Sequence, residues 1–347
     1  MLTTVGTQVI AFLCLDNFYQ SKIQIWKAEN NPVNRTIFLR KVFGRFLRAI
    51  TISFWVMVIS FSLIRLSPGD PAEARLGAGA ELEAIEQLRE QLGLNKSAFA
   101  QFVDYLSGLL RGDLGVSLVN GVEVLETIKR TFPLTLTYIT LSVLFAFLLS
   151  IPIGTIIGWS NRASAVYIFR GITSIIIATP NFFIAMVGIL IFSVQRNWAP
   201  VFGYVSEFPE NLKYLWLPVS INTLILVSII SRVLHTSVVD TKAEEFVETG
   251  IIRGVSRPRF FWFYVLKPSL APTVVLLSYM MGTMLGATVI LETIFSLPGI
   301  GRELVGAVLA SDYPMVQGIL LFFGVITVFI SFIGDLLAYA LDRRVKL

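Results

Sequence analysis

Long apolar runs separated by short polar segments form the main pattern of this chain. A helix needs about 20 mostly apolar residues to span a membrane, and several runs reach that length. The pattern therefore predicts an all-α membrane protein with six spanning helices, at about 43–65, 133–159, 168–194, 214–233, 269–291 and 315–340.

The polar segment between the first two runs predicts a small helical cap. Apolar residues recur there at helical spacing in two stretches, one starting at Leu82 and the other at Phe99. Two turn signals bracket these stretches, Pro68-Gly69-Asp70-Pro71 and Gly112-Asp113-Leu114-Gly115. The chain then divides into an N-terminal extension (1–41), a first transmembrane helix (42–66), the cap (67–130) and a five-helix core (131–347).

A second polar segment, 236–267, interrupts the core between the fourth and fifth runs. Residues 242–253 predict a helix, because their charges suit a helix dipole and Gly254 supplies a stop. Acidic residues lie in the first turns and a basic residue lies in the last, at Glu244, Glu245, Glu248 and Arg253. Pro258 prevents this helix from running on.

One face of this predicted helix has an unusual stripe. Phe246, Gly250 and Gly254 recur every four residues. Such a stripe lets another protein approach the backbone closely while Phe246 fills a pocket. A solvated loop helix with an accidental pair of glycines is the alternative, and the spacing does not decide between them.

Composition supports the membrane class and narrows the chemistry. The chain is 55% hydrophobic and 15% charged, with a mean hydropathy of +0.74, whereas soluble domains carry roughly 25% charged residues. Cys14 and His235 are the single cysteine and histidine, which excludes an internal disulfide and makes a histidine-based triad or metal site implausible. No Walker A, G-x-S-x-G or H-E-x-x-H motif occurs. We therefore expect no enzyme activity and no cofactor or metal in this chain.

The distribution of basic residues predicts the orientation. The net charge of +5 does not indicate nucleic acid as a partner. Lys and Arg lie at the ends of apolar runs, which indicates membrane topology with lipid around the helices. With residue 1 on the cytoplasmic side, 18 of the 28 basic residues lie in inner segments. Most of the others lie in the long segment 65–130, where the rule has little force. Both termini and segment 236–267 are therefore predicted to be cytoplasmic, and the cap is predicted to be extracytoplasmic.

Few ionisable groups lie inside the apolar runs, which argues against a transporter driven by an ion relay. Glu292 is the exception near the predicted outer mouth. Hydrogen bonding by the loop that follows it is the favoured interpretation, and contact with a substrate is the alternative. Pro180 with Asn181 predicts either a break in the third span beside a pathway or a simple packed kink.

Several short motifs resemble those of a known family. Residues 292–302 are similar to E-T-x-F-x-x-P-G-x-G-R, and residues 312–318 to D-Y-P-x-V-Q-G. Pro68-Gly-Asp-Pro71, Leu92-Gly-Leu-Asn-Lys96 and Gly112-Asp-Leu-Gly-Val-Ser117 also match. Together they resemble the permease subunits of ABC importers for dipeptides, oligopeptides, opines and nickel, and specifically the first of the two paired permeases.

The resemblance implies a six-helix permease of the type I ABC importers in the bacterial inner membrane. Its expected partners are a sibling permease, two ATPase subunits that bind ATP and Mg, and an extracytoplasmic solute-binding protein. The family's cytoplasmic E-A-A-x-x-x-G segment is a coupling helix that docks on the ATPase. Glu248, Thr249, Gly250 and Gly254 occupy its spacing, with Thr249 and Gly250 in place of the two alanines.

The residue patterns and the resemblance together give two sets of expected site residues. The residues expected to couple to the ATPase are Glu245, Phe246, Glu248, Thr249, Gly250, Arg253 and Gly254. The residues expected at the pathway or outer gate are Pro180, Asn181, Glu292, Pro298 and Gly299. Peptides or peptide-like solutes are the expected substrate, and nickel chelates or opines are the alternative. A self-contained secondary carrier or channel is the rival from another class.

Overall fold

The computed structural model describes parts of residues 43–62 and then residues 71–77, 79–91 and 94–341. Over these residues the chain is helical, apart from turns and one isolated bridge between Val116 and Glu123. The predicted extension 1–41, the turn residues Pro68 to Asp70, and Cys14 lie outside this description. We number the helices α1 (Ile50–Ile59), α2 (Pro71–Leu76), α3 (Leu82–Gln91), α4 (Ala98–Leu110), α5 (Val124–Trp159), α6 (Ala163–Ala178), α7 (Asn181–Gln195), α8 (Asn211–Lys242), α9 (Glu245–Ile252), α10 (Arg257–Ile294), α11 (Ile300–Leu309) and α12 (Tyr313–Leu341).

Four of these helices are long and apolar enough to cross a membrane. They are α5, α8, α10 and the Tyr313–Gly334 part of α12. The bent pair α6 and α7 adds a fifth candidate if it counts as one span. The first predicted span is represented by α1, a shorter apolar helix. The membrane class is confirmed, and six spans stay a prediction.

The third predicted span, 168–194, is not one helix. The chain bends by 94° between α6 and α7. Thr179 and Pro180 both have extended backbone angles at the break, as expected where proline disfavours helical geometry in the preceding residue and lacks an N–H of its own. A packed kink is therefore wrong, and the alternative of a break is confirmed, with Asn181 as the first residue of α7.

The predicted boundaries of the other core spans were too short at their polar ends. Helix α5 begins at Val124, well before residue 133, and α8 runs to Lys242 instead of ending near 233. Helix α10 begins at Arg257, twelve residues before the predicted start at 269. Polar residues beyond the hydrocarbon core still favour a helix, so hydropathy locates the apolar part of a span and not its end. Segment 236–267 is consequently mostly helical, and its own helix is 245–252, not 242–253.

The core forms where glycines let helices approach closely. A Cβ atom at Gly154 of α5 would lie 2.8 Å from Leu234 Cβ, and one at Gly158 would lie 2.8 Å from Val238 Cβ. Both partners belong to α8, so a small-xxx-small pair brings the two backbones together. Helices α10 and α12 use the same device, since a Cβ atom at Gly282 would lie 2.8 Å from Thr327 Cγ2.

Helices α3 and α4 lie where the cap prediction placed two helices. Ser97 caps α4 by accepting a hydrogen bond from the Ala100 N–H (3.3 Å). Phe102 of α4 contacts Phe61 edge to face, with ring centroids 5.1 Å apart. The predicted apolar faces are partly open, however, because Leu82 and Leu110 are 85% and 83% exposed. The existence of a separate cap stays a prediction.

Candidate functional site

Helix α9 stands between two spanning helices at one end of the bundle, which we call the α9 end. Gly254 follows it with φ +63°, and the Val255 N–H donates to the Gly250 carbonyl (3.3 Å). This left-handed position favours glycine, so the predicted stop is confirmed. Pro258 lies in the first turn of α10, where a missing N–H costs nothing.

One face of α9 packs on its own chain. Val247 is buried, and a Cβ atom at Gly250 would lie 2.9 Å from Tyr264 Cδ1 and 3.3 Å from Phe260 Cε2. The Phe246 ring lies 6.4 Å from the Tyr264 ring, measured between centroids. Close approach to Gly250 is therefore made by α10, and not by another protein as the stripe suggested. Nothing lies within 4 Å of a Cβ atom at Gly254.

The opposite face of α9 is free to meet a partner. Glu245, Glu248, Thr249 and Arg253 are exposed on it. Ile251 and Ile252 are 65% and 79% exposed, and sequence analysis did not select them. The signal was available for Ile252 only, because Ile251 follows Val247 by four residues and shares its side of the helix, whereas the adjacent Ile252 turns away. A short helix with a fixed inner face and an apolar tip is suited to docking in a groove.

The chain on both sides of α9 is held firmly. The Lys242 ammonium lies 4.9 Å from the centroid of the Trp159 ring and 3.5 Å from the Trp159 carbonyl oxygen, at the end of α5. The Ser269 hydroxyl donates to Thr241 Oγ1 (3.0 Å), which joins α10 to α8. Leu234, Val238 and Val265 form a small buried cluster beneath these contacts. These contacts join the chain on both sides of α9 to three long helices, α5, α8 and α10.

A buried carboxylate organises the opposite end of α10. Glu292 is 1% exposed. Its Oε1 accepts from the Thr135 hydroxyl of α5 (2.6 Å), and its Oε2 accepts from the N–H groups of Gly301 (2.8 Å) and Arg302 (3.1 Å). These N–H groups belong to the first turn of α11, where a helix dipole favours a negative charge. We call Thr135, Glu292 and residues 298–302 the Glu292 junction.

The Glu292 junction leaves almost no space. A Cβ atom at Gly299 would lie 2.3 Å from Glu292 Cδ, so a glycine is required there. Pro298 beside it is exposed. Glu292 is hydrogen-bonded by the segment that follows it, as expected, although the donors lie in the first turn of α11 and not in the loop. The carboxylate is buried and has no free surface for a substrate in this conformation. A role as an outer gate stays a prediction.

A second buried carboxylate lies at the same end. Asp312 is 4% exposed and caps the first turn of α12. It accepts hydrogen bonds from the Ser117 hydroxyl and from the Leu118 N–H (3.1 Å). A Cβ atom at Gly318 would lie 2.5 Å from Val124 Cγ1 of α5. The motifs at 112–117 and 312–318, far apart in sequence, therefore form one contact.

The predicted site residues fall into three separate places. The seven coupling residues lie on or beside α9, and Glu292, Pro298 and Gly299 lie together at the Glu292 junction. Pro180 and Asn181 lie at the bend between α6 and α7, at the start of a helical segment that packs against α10. Across the part of the chain that the structure describes, no three His, Cys, Asp or Glu side chains cluster as metal ligands would.

Two family models together match nearly the whole chain. Residues 150–347 match the model of the binding-protein-dependent transport system inner membrane component. Residues 38–139 match the N-terminal model of the same kind of membrane component. Both matches agree with the resemblance that the motifs indicated.

Curated relatives extend over the same length. The chain is 31% identical over 317 residues to a putative peptide transport system permease protein of Brucella abortus (strain 2308), covering 88% of this chain and 98% of the relative. It is 30% identical over 326 residues to a dipeptide transport system permease protein of Alkalihalophilus pseudofirmus, covering 87% and 98%. A glutathione transport system permease protein of Escherichia coli O6:H1 is 30% identical over 313 residues, covering 89% and 99%. The chain therefore belongs to the family of binding-protein-dependent transport system inner membrane components.

Proposed function

We propose that this protein is a permease subunit of an ATP-driven ABC importer and that it forms half of a translocation pathway for peptides or peptide-like solutes. The names of the relatives, which concern peptides, dipeptides and glutathione, support this substrate class. The observation that carries the mechanism is the geometry of α9, which is fixed on one side and exposed on the other.

In this proposal α9 is the coupling helix. Its apolar tip, Ile251 and Ile252, enters a groove of an ATPase subunit, and the charges of Glu245, Glu248 and Arg253 surround the contact. ATP and Mg bind to the ATPase pair and not to this chain. When the ATPases close, α9 moves as a rigid body because Gly250 packs closely against Tyr264 and Phe260 of α10. A loosely held helix would transmit no difference in free energy between the two states.

We also propose an orientation in the membrane and a set of partner subunits. The α9 end faces the cytoplasm, which agrees with the excess of Lys and Arg in the inner segments. Six helices span the bacterial inner membrane, with a cap on the outer side. A sibling permease completes the pathway, and a solute-binding protein delivers the solute to the outer side. The Glu292 junction and the bend at Pro180 and Asn181 belong to the outer gate and the pathway.

Two matched substitutions test the coupling role of α9. Ile252→Glu places a charge on the proposed docking tip, whereas Leu309→Glu places one at a residue that is 82% exposed at the end of α11. We expect Ile252→Glu to abolish co-purification of the ATPase and ATP-dependent uptake while the protein still inserts in the membrane. Leu309→Glu should retain ATPase binding.

The opposite results would identify the rival class. If Ile252→Glu transports normally, α9 is not the coupling helix. If the purified chain accumulates solute in vesicles without any ATPase, driven by an ion gradient, the protein is a secondary carrier.

A further inference from the structure

A shallow cavity of about 240 Å³ lies where α5 ends and α6 begins, at the α9 end of the bundle. The loop residues Ser160 and Asn161 form one wall. Arg162, which directly precedes α6, and Val166, Tyr167 and Arg170 of α6 form the other wall. This cavity has no part in the proposed coupling mechanism.

The two arginines of the cavity, Arg162 and Arg170, form no ion pair within the described part of the chain. Both are exposed. Arg232 of α8 adds a third positive charge nearby, because its guanidinium donates to the Arg170 carbonyl (3.2 Å) and to the Ser174 hydroxyl (2.8 Å). The cavity therefore attracts an anion.

The cavity itself has an apolar wall. Ala163, Val166 and Tyr167 line it on one face of α6, and the Tyr167 side chain is 73% exposed. Arg170 lies eight residues beyond Arg162, about 12 Å farther along the helix axis. Its long apolar stem allows the guanidinium to reach back toward the headgroup region of a membrane. Positive charge and an apolar wall in the same cavity match an amphipathic ligand.

We propose that this cavity binds the headgroup phosphate of an anionic phospholipid, with Arg162 and Arg170 as its ligands. Arginine suits this role because its planar guanidinium forms paired hydrogen bonds with phosphate oxygens. Basic pockets between transmembrane helices bind anionic headgroups in this way. The apolar part of the lipid next to the headgroup then lies against Val166 and Tyr167. A zwitterionic lipid fits less well, because its own cation meets three arginines.

The test uses the purified full-length chain in neutral detergent. Phosphatidylglycerol or phosphatidylcholine is added, and bound lipid is counted by native mass spectrometry while the melting temperature is recorded. We expect phosphatidylglycerol to bind and to raise the melting temperature, and phosphatidylcholine to do neither. Arg162→Gln with Arg170→Gln should weaken phosphatidylglycerol binding by about tenfold or more, since each basic group near a membrane surface contributes substantially.

A matched control removes the same amount of charge elsewhere. Lys129→Gln with Lys213→Gln changes two exposed residues near the starts of α5 and α8, far from the cavity. This variant should bind phosphatidylglycerol like the wild type. If the double arginine variant does not fold, Arg162→Gln alone changes an exposed loop residue and should give a smaller loss in the same direction.

Three results would overturn the proposal. They are equal binding of phosphatidylcholine by the wild type, equal losses in the lysine control and the arginine variant, and full stabilisation by inorganic phosphate alone, which would assign the cavity to a free anion. None of these measurements involves an ATPase or transport, so the outcome is independent of the proposed function.

Discussion

Gly299 is the residue whose size matters most at the Glu292 junction. A methyl group there would overlap the Glu292 carboxylate, which is buried and has no space to move. We expect Gly299→Ala to destabilise the protein by about 1–3 kcal/mol through overpacking, seen as a lower melting temperature in detergent. Gly306→Ala is the control, because nothing lies within 4 Å of a Cβ atom there and it sits inside α11. It should be neutral or slightly stabilising.

The Glu292 carboxylate itself is expected to hold the same junction together. Glu292→Gln keeps the shape of the side chain but removes the charge that accepts from Gly301 and Arg302. Hydrogen bonds to charged groups contribute about 1.5–3 kcal/mol, so we expect a clear fall in melting temperature. Thr135→Val should produce part of this loss, and the double variant should lose less than the sum, because both changes break one network. If the two losses in melting temperature simply add, Glu292 and Thr135 do not belong to one hydrogen-bond network.

Gly254 differs from Gly299, because its surroundings are open and its backbone angle is the constraint. Gly254→Trp should leave membrane insertion intact and abolish transport, since it places a bulky group beside the docking face. Gly254→Asn is the control, because asparagine tolerates a left-handed angle better than other residues, and it should retain most activity. Normal uptake by Gly254→Trp, measured in cells, would remove Gly254 from the coupling surface.

At the scale of elements, coupling depends on the packing of α9 against α10. Gly250→Leu would drive a side chain into Tyr264 and separate the two helices. We expect transport to be lost while ATP hydrolysis by the assembled complex persists, because the ATPases would then turn over without moving the bundle. Tyr264→Ala in the same protein should restore part of the transport by making room. If the Gly250→Leu variant transports normally, coupling does not require the close packing of α9 against α10.

The pairing of α5 with α8 is the second element-scale feature. Gly154→Leu should prevent the close approach of the two helices at Leu234, and we expect a large loss of folded protein in detergent. Gly171→Leu in α6 is the matched control, since nothing lies within 4 Å of its Cβ position. Equal yields of the two variants would contradict the close pairing.

At the scale of the whole molecule, the orientation is open to a direct test. Cys14 is the single cysteine of the chain, so Cys14→Ser provides a background without thiols. Glu248→Cys and Leu309→Cys then place single thiols at opposite ends of the bundle. We expect an impermeant thiol reagent added outside intact cells to label Leu309→Cys and not Glu248→Cys. The reverse pattern would place α9 outside and end the coupling proposal.

The sequence by itself determined the membrane class, the rough positions of the core spans, the stop at Gly254 and the family. These depend on local properties, namely hydrophobicity over about 20 residues, backbone freedom of single glycines and short motifs. Polar residues at span ends hid the true helix boundaries, because polarity ends a hydrophobic run without ending the helix.

Only the tertiary structure decided what the selected residues touch. It turned Gly250 toward Tyr264, exposed Ile251 and Ile252, bent the chain by 94° at Pro180 and brought Ser117 to Asp312. Each of these outcomes depends on which helices pack together. Close packing between residues far apart in the chain is a property of the assembled bundle, and no local window of the sequence contains it.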